Sequence, residues 1–189
     1  MSRASTLVTR FLVLILCVAP AAPAMAWEMT GTKSVFVTTR DGQKLRIGTV
    51  NFTPAAQEKT AFKFALETER FTDYFLSMRE FKCLSGAEEV VCYVPYPHPQ
   101  PGTVSRTDLS WLEHNLLFFF KQPSDFGAKL WNGIYFQLEP GAAGLVGRPR
   151  AIDLNVIGAP PADALPPYSP ALRDDMPLAQ RRIQSLSIE

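Results

Sequence analysis

The sequence predicts a mainly β (β-rich α+β) fold: a single antiparallel barrel or sandwich of about seven to eight strands, with one buried or plugging helix and a Pro-rich C-terminal arm. Three observations carry this reading. Short segments rich in β-branched and aromatic residues alternate apolar and polar positions at 34–52, 62–66, 81–94 and 130–157. Turn-forming residues separate them, among them Asp41-Gly42, Ser85-Gly86 and Pro140-Gly141. One stretch, Ser105 to Phe120, carries a helix-capping pattern.

The first hairpin is the clearest element. Ser34 to Thr39 runs into Asp41-Gly42 and returns through Lys44 to Phe52. A two-residue type I′ loop would place Phe36 opposite Ile47 and Thr38 opposite Leu45. The apolar parity changes between Ile47 and Val50, so a β-bulge is expected at Gly48. Phe62, Phe64 and Leu66 make a third strand. Phe71 to Phe81 reads as either a short helix or an irregular strand. Phe81 to Val94 forms a hairpin that sets Cys83 opposite Cys92. The alternating prolines of 95–101 make an extended connector.

In the expected helix, Ser105 is the N-cap, Asp108 stands at N3, and Leu109, Leu112, Leu116 and Phe119 form the core stripe. Trp111, Leu117, Phe118 and Phe120 widen that stripe until little polar face remains, so the helix is buried on most sides. Leu130 to Leu138 and Leu145 to Ile157 form a further strand pair. A last short strand over Gln184 to Ile188 closes the sheet.

The N-terminus reads as a cleavable export signal. Arg3 and Arg10 precede the apolar run Phe11 to Ala19, and Ala24-Met25-Ala26 supplies small residues for cleavage after Ala26. A lipoprotein reading at Cys17 conflicts with Leu16, where a small residue is wanted. The run is too short to span a bilayer, and no transmembrane segment is expected in the mature chain. The expected organisation is a signal peptide at 1–26, a β-rich domain at 27–158 with helix 106–120, and a Pro-rich arm at 159–189 ending in a strand of the same domain. In an exported chain, Cys83 and Cys92 are the remaining pair and are expected to form a disulfide, with a metal or redox pair as the rival. The short loop it closes is worth about 2.7 kcal/mol in the chain-entropy treatment. The formal charge of +1 includes Arg3 and Arg10, and there is no basic stripe. Nucleic acid is therefore not expected as a partner.

Motifs for chemistry are sparse. Glu113-His114 resembles the start of HExxH, but Phe118 occupies the second histidine position. His114 is then expected on the helix surface or near its cap, and His98 in an exposed loop. No glycine-rich phosphate loop and no GxSxG elbow occurs. Ser77, His114 and Asp73 could form a hydrolytic trio only by folding. Asp73, Asp108, Asp125 and Asp153 lie near aromatic stretches, where a pair in an apolar cleft could do acid–base work; the ordinary reading has Asp108 capping the helix, Asp153 on a sheet face beside Asn155, and Asp73 in an ion pair with Arg79 or Arg70. No catalytic residue, metal or cofactor is expected. The 13 Phe, 5 Tyr and 3 Trp either line a ligand cavity or pack a solid core. Tyr93, Tyr96 and Tyr168 beside prolines could present a surface to a partner.

The segments 75–83 (FLSMREFKC), 94–97 (VPYP), 112–114 (LEH), 130–135 (LWNGIY) and 152–155 (IDLN) resemble a family of uncharacterised exported bacterial proteins. The resemblance implies an exported, periplasmic location and no particular reaction. It directs attention to Arg79, Lys82, Tyr96, His114 and Trp131 as ligand- or partner-binding candidates. The leading expectation is a non-enzymatic periplasmic binding or accessory protein that takes a small apolar ligand or an envelope protein. An envelope interaction protein docking through its Pro/Tyr segments comes second, and a hydrolase with a spatially assembled site third.

Overall fold

The structure is a computed structural model that describes residues 27–160 and 165–189; the expected signal peptide lies outside the described residues. The chain forms β1 (Gly31–Thr39), β2 (Lys44–Pro54), β3 (Thr60–Leu66), β4 (Lys82–Leu84), β5 (Val90–Val94) and β6 (Thr103–Val104). A short helix α1 (Ser110–His114) follows, then β7 (Leu117–Lys121), β8 (Gly133–Pro140), β9 (Leu145–Ile152), β10 (Asp174–Asp175) and β11 (Ile183–Ile188). All pairings are antiparallel, in the order β4-β5-β7-β8-β9-β11-β1-β2-β3-β6, with β10 beside β9. The fold is thus mainly β, but among the described residues the one sheet has eleven strands rather than seven or eight.

The sheet curls into a half-barrel. Six strands lie between Phe64 on β3 and Tyr93 on β5 in the order, which in a flat sheet would separate them by about 34 Å. Their ring centroids are 5.7 Å apart. The concave face therefore closes on itself around one aromatic core, which includes Phe52, Phe118, Phe136 and Leu138 and receives Trp111 and Leu112 from α1. A second core lies on the outer face of β5, β7 and β8, where Phe75 and Tyr168 cover Cys92, Phe119 and Tyr135.

This double covering corrects the helix over 106–120. Ser105 Oγ does accept the Asp108 N–H, at 3.1 Å, so the turn signalled by the capping pattern forms. The α-helix covers only Ser110–His114, and the chain leaves it at Asn115 to become β7. Phe118 and Phe120 face the inner core while Leu117 and Phe119 face the outer one. A strand buried on both faces is apolar throughout, so its sequence matches a buried helix as well as a strand.

The first hairpin forms with a register one residue away from the expected one. Phe36 pairs with Arg46 and Thr38 with Lys44, because the loop has three residues, Arg40 to Gly42. The Thr39 N–H donates to the Gln43 carbonyl at 2.9 Å, and Gly42 alone takes positive φ, at 78°. Val35 and Val37 consequently face the core. The expected bulge is present: the register shifts where Val35 pairs with Gly48 and Phe36 with Arg46, leaving Ile47 as the extra residue. Gly48 is required there, since a Cβ would lie 2.3 Å from the Ala65 carbonyl oxygen.

Cys83 and Cys92 are paired directly across β4 and β5, and their sulfurs are bonded. Phe71 to Phe81 is neither helix nor strand; it forms turns with one bridge, Thr72 to Cys83. The strand expected from Leu130 begins only at Gly133. Leu154 and Val156, expected to continue β9, lie in a 3-10 turn instead. The expected closing strand is β11, and it is central, between β9 and β1. Among the described residues, no helix is long and apolar enough to cross a membrane.

Candidate functional site

The most polar part of the interior is built on α1. Glu113 and His114 are both buried, contrary to the surface position expected for His114. One Glu113 oxygen accepts the Tyr135 hydroxyl and the other accepts the Leu138 N–H at 2.7 Å. His114 Nδ1 lies 2.7 Å from the Ser110 carbonyl, and its Nε2 lies 3.1 Å from the Tyr168 amide. A carbonyl only accepts and an amide only donates, so these partners fix a neutral imidazole with the proton on Nδ1. Tyr168 stacks on the His114 ring at 5.4 Å, while Tyr96, Trp111 and Tyr135 meet it with tilted or edge-on geometry.

Arg173 completes the cluster. Its guanidinium lies 4.1 Å over the Tyr135 ring and donates to the Tyr168 carbonyl at 2.7 Å. Burial is the main cause of every shift here. It lowers the His114 pKa to about 4, raises that of Glu113 against the pull of its hydrogen bonds, and raises those of Tyr135 and Tyr168. The group holds the C-terminal segment, through Tyr168, onto α1 and β8.

The candidates taken from the sequence separate in space. Tyr96 and His114 come together, and the Tyr96 hydroxyl donates to the Gly158 carbonyl at 3.0 Å. His98 sits edge-on to Tyr96. Lys82 forms an ion pair with Asp73, which corrects the expected pairing of Asp73 with Arg79 or Arg70. Arg79 is exposed in a turn, and Trp131 is exposed with the Lys129 ammonium 5.2 Å from its ring. Both His114 nitrogens are occupied and Ser77 is exposed, so the trio Ser77, His114 and Asp73 does not assemble. Asp108 and Asp125 each accept a nearby backbone N–H, and Asp153, expected on a sheet face, instead caps the 3-10 turn after β9 by accepting the Asn155 N–H. Sequence reasoning missed Tyr135 and Arg173, and it expected Tyr168 on a partner-facing surface, whereas Tyr168 is buried against His114. The one available signal was Glu113-His114 itself, two polar residues inside an apolar stretch.

Two clefts open at opposite ends of β8. At the β8–β9 turn, a cleft of about 320 Å³ is lined by Trp27, Met29, Leu109, Pro140 and Leu145, with the exposed Glu28 and Arg106 also on its wall. A neighbouring cleft of about 800 Å³ shares Glu28, Met29 and Arg106. Trp27 packs edge-on against Phe52 at 6.2 Å, and its buried indole N–H has no hydrogen-bond partner among the described residues. At the other end, a polar cleft of about 350 Å³ is lined by Arg40, Glu89, Lys121, Asp125 and Arg181 among others. Its charges are largely spent on structure. Glu89 accepts the Arg182 N–H and pairs with Arg181 at 2.9 Å, Arg181 lies 3.7 Å over the Phe120 ring, and Arg40 pairs with Glu88 at 2.6 Å. Burial raises the Glu89 pKa despite these cations.

No group of three or more His, Cys, Asp or Glu side chains among the described residues is placed to hold a metal ion. No protein-family model, no curated protein and no solved structure matches the chain.

Proposed function

We propose that this chain is an exported, non-enzymatic binding or accessory protein, and that its ligand occupies the cleft beside Trp27. The observation that carries the reading is the character of that cleft. It is concave and largely apolar, and falls in the size range of small-molecule sites. The aromatic residues elsewhere fill the two cores, with Tyr135, Phe118 and Phe136 fully buried, so a ligand is to be sought at the end of the half-barrel. The engagement of both His114 nitrogens and both Glu113 oxygens supports a structural role for these groups. Export to the periplasm is supported by the residue pattern of 1–26 and by the Cys83–Cys92 disulfide.

Native mass spectrometry of the protein purified gently from the periplasm tests this reading. A reproducible extra mass that is lost on Met29→Glu substitution is the expected result. A bare mass under all extraction conditions would count against it. A second reading, docking to an envelope protein, draws on a different observation: Leu76 and Phe126 are more than nine-tenths exposed. Tyr96 and Tyr168, from the Pro/Tyr segments, are turned inward instead. Cross-linking from cysteines placed at Leu76 and Phe126 would capture such a partner.

A further inference from the structure

Trp27, Met29 and Leu145 give the cleft at the β8–β9 turn an apolar wall, whereas its charged groups are few. Arg106 is exposed on that wall. The Lys33 ammonium stands 5.4 Å from the Trp27 ring. Neither cation forms an ion pair with any described residue. Against them stands one carboxylate, Glu28. The cleft therefore combines an apolar surface with one exposed guanidinium, Arg106, that forms no ion pair with any described residue, and the Lys33 ammonium lies nearby against Trp27. An occupant that is apolar alone would leave Arg106 without a counter-ion. A fully polar one would leave the apolar wall wet.

We infer that this cleft takes a single-chain amphiphile with an anionic head group, its chain lying against Trp27, Met29 and Leu145 and its head group meeting Arg106. The inference rests on the binding-protein reading above and adds the ligand class to it. A head group of this sign gains a charge-assisted hydrogen bond from the guanidinium, roughly twice as strong as one between neutral groups. The adjoining cleft, which shares Arg106 and Met29, leaves room for the head group to extend outward.

Three probes of equal chain length separate the contributions: dodecanoate, dodecanol and dodecyltrimethylammonium, each kept below its micelle-forming concentration. Binding is read by calorimetry and by tryptophan fluorescence on the protein purified from the periplasm. Dodecanoate should bind about tenfold more tightly than dodecanol, and the cation most weakly. Arg106→Ala, at an exposed position, should bring dodecanoate down to the affinity of dodecanol and leave dodecanol unchanged. Met29→Glu should weaken all three, with circular dichroism confirming that the fold is kept, and Trp27→Phe should abolish the fluorescence change. Equal affinity for dodecanol and dodecanoate would overturn the head-group assignment while leaving the binding-protein reading standing. Binding that ignores both Met29→Glu and Arg106→Ala would overturn the assignment of the cleft. If none of the probes binds and the native mass is bare, both the inference and the reading beneath it fall.

Discussion

Acidification should destabilise this protein through His114. The imidazole is fully buried and neutral, with its Nδ1–H on the Ser110 carbonyl and its Nε2 accepting from Tyr168. Protonation would destroy the second bond and leave a charge among Tyr96, Trp111, Tyr135 and Tyr168. Burial depresses its pKa from 6.5 to about 4, so between these values the unfolded chain binds the proton and the folded chain does not. Stability from this residue is then complete above pH 6.5 and is lost as pH falls toward 4. At ~1.36 kcal/mol per pH unit, the loss over that window is about 3 kcal/mol. Glu113 acts in the opposite sense, because its raised pKa makes the folded state hold its proton more tightly. It is present in both proteins of the following comparison, which removes most of its contribution. Urea unfolding between pH 7 and pH 4 should show the wild type losing about 3 kcal/mol more than His114→Asn, whose side chain does not titrate. Parallel stability curves for the two proteins would refute a buried neutral imidazole.

Three further outcomes follow from the same packing. Tyr135→Phe removes a hydroxyl that donates to the Glu113 carboxylate and should cost about 1.5–3 kcal/mol in urea unfolding; in combination with Glu113→Gln the costs should be less than additive, since both act on one bond. Removing the disulfide by Cys83→Ala with Cys92→Ala should cost about 2.5–3 kcal/mol, and peptide mapping of the exported wild type should find the two cysteines linked rather than as free thiols. Gly48→Ala should destabilise by about 1–3 kcal/mol, because the added Cβ meets backbone rather than a movable side chain, whereas Gly158→Ala, with nothing nearby, should leave the melting temperature almost unchanged.

The legible parts of the fold are those decided by neighbours in the chain. The first hairpin follows from a turn beside alternating residues, and the bulge from a parity change at Gly48. The facing of Cys83 and Cys92 follows from counting back from a turn. Even there the register slipped by one, since Asp41-Gly42 serves a three-residue loop as well as a two-residue one and only the Thr39 to Gln43 bond distinguishes them. Of the binding candidates, only Tyr96 and His114 meet, because the others owe their positions to separate loops.

By itself the sequence determined the class: a β-rich chain with turn-separated strands, one cysteine pair set to face across a hairpin, and no local motif for catalysis. Tertiary structure alone decided the rest. Whether Leu117 to Lys121 is helix or strand depends on β5 and β8 covering it from either side and on two cores burying both its faces. The number of strands depends on the C-terminal segment entering the middle of the sheet, and the cleft on residues 27–29 meeting the turn at 140–145. These are contacts between residues far apart in the chain, and a local apolar pattern specifies that a residue is to be buried without specifying against what.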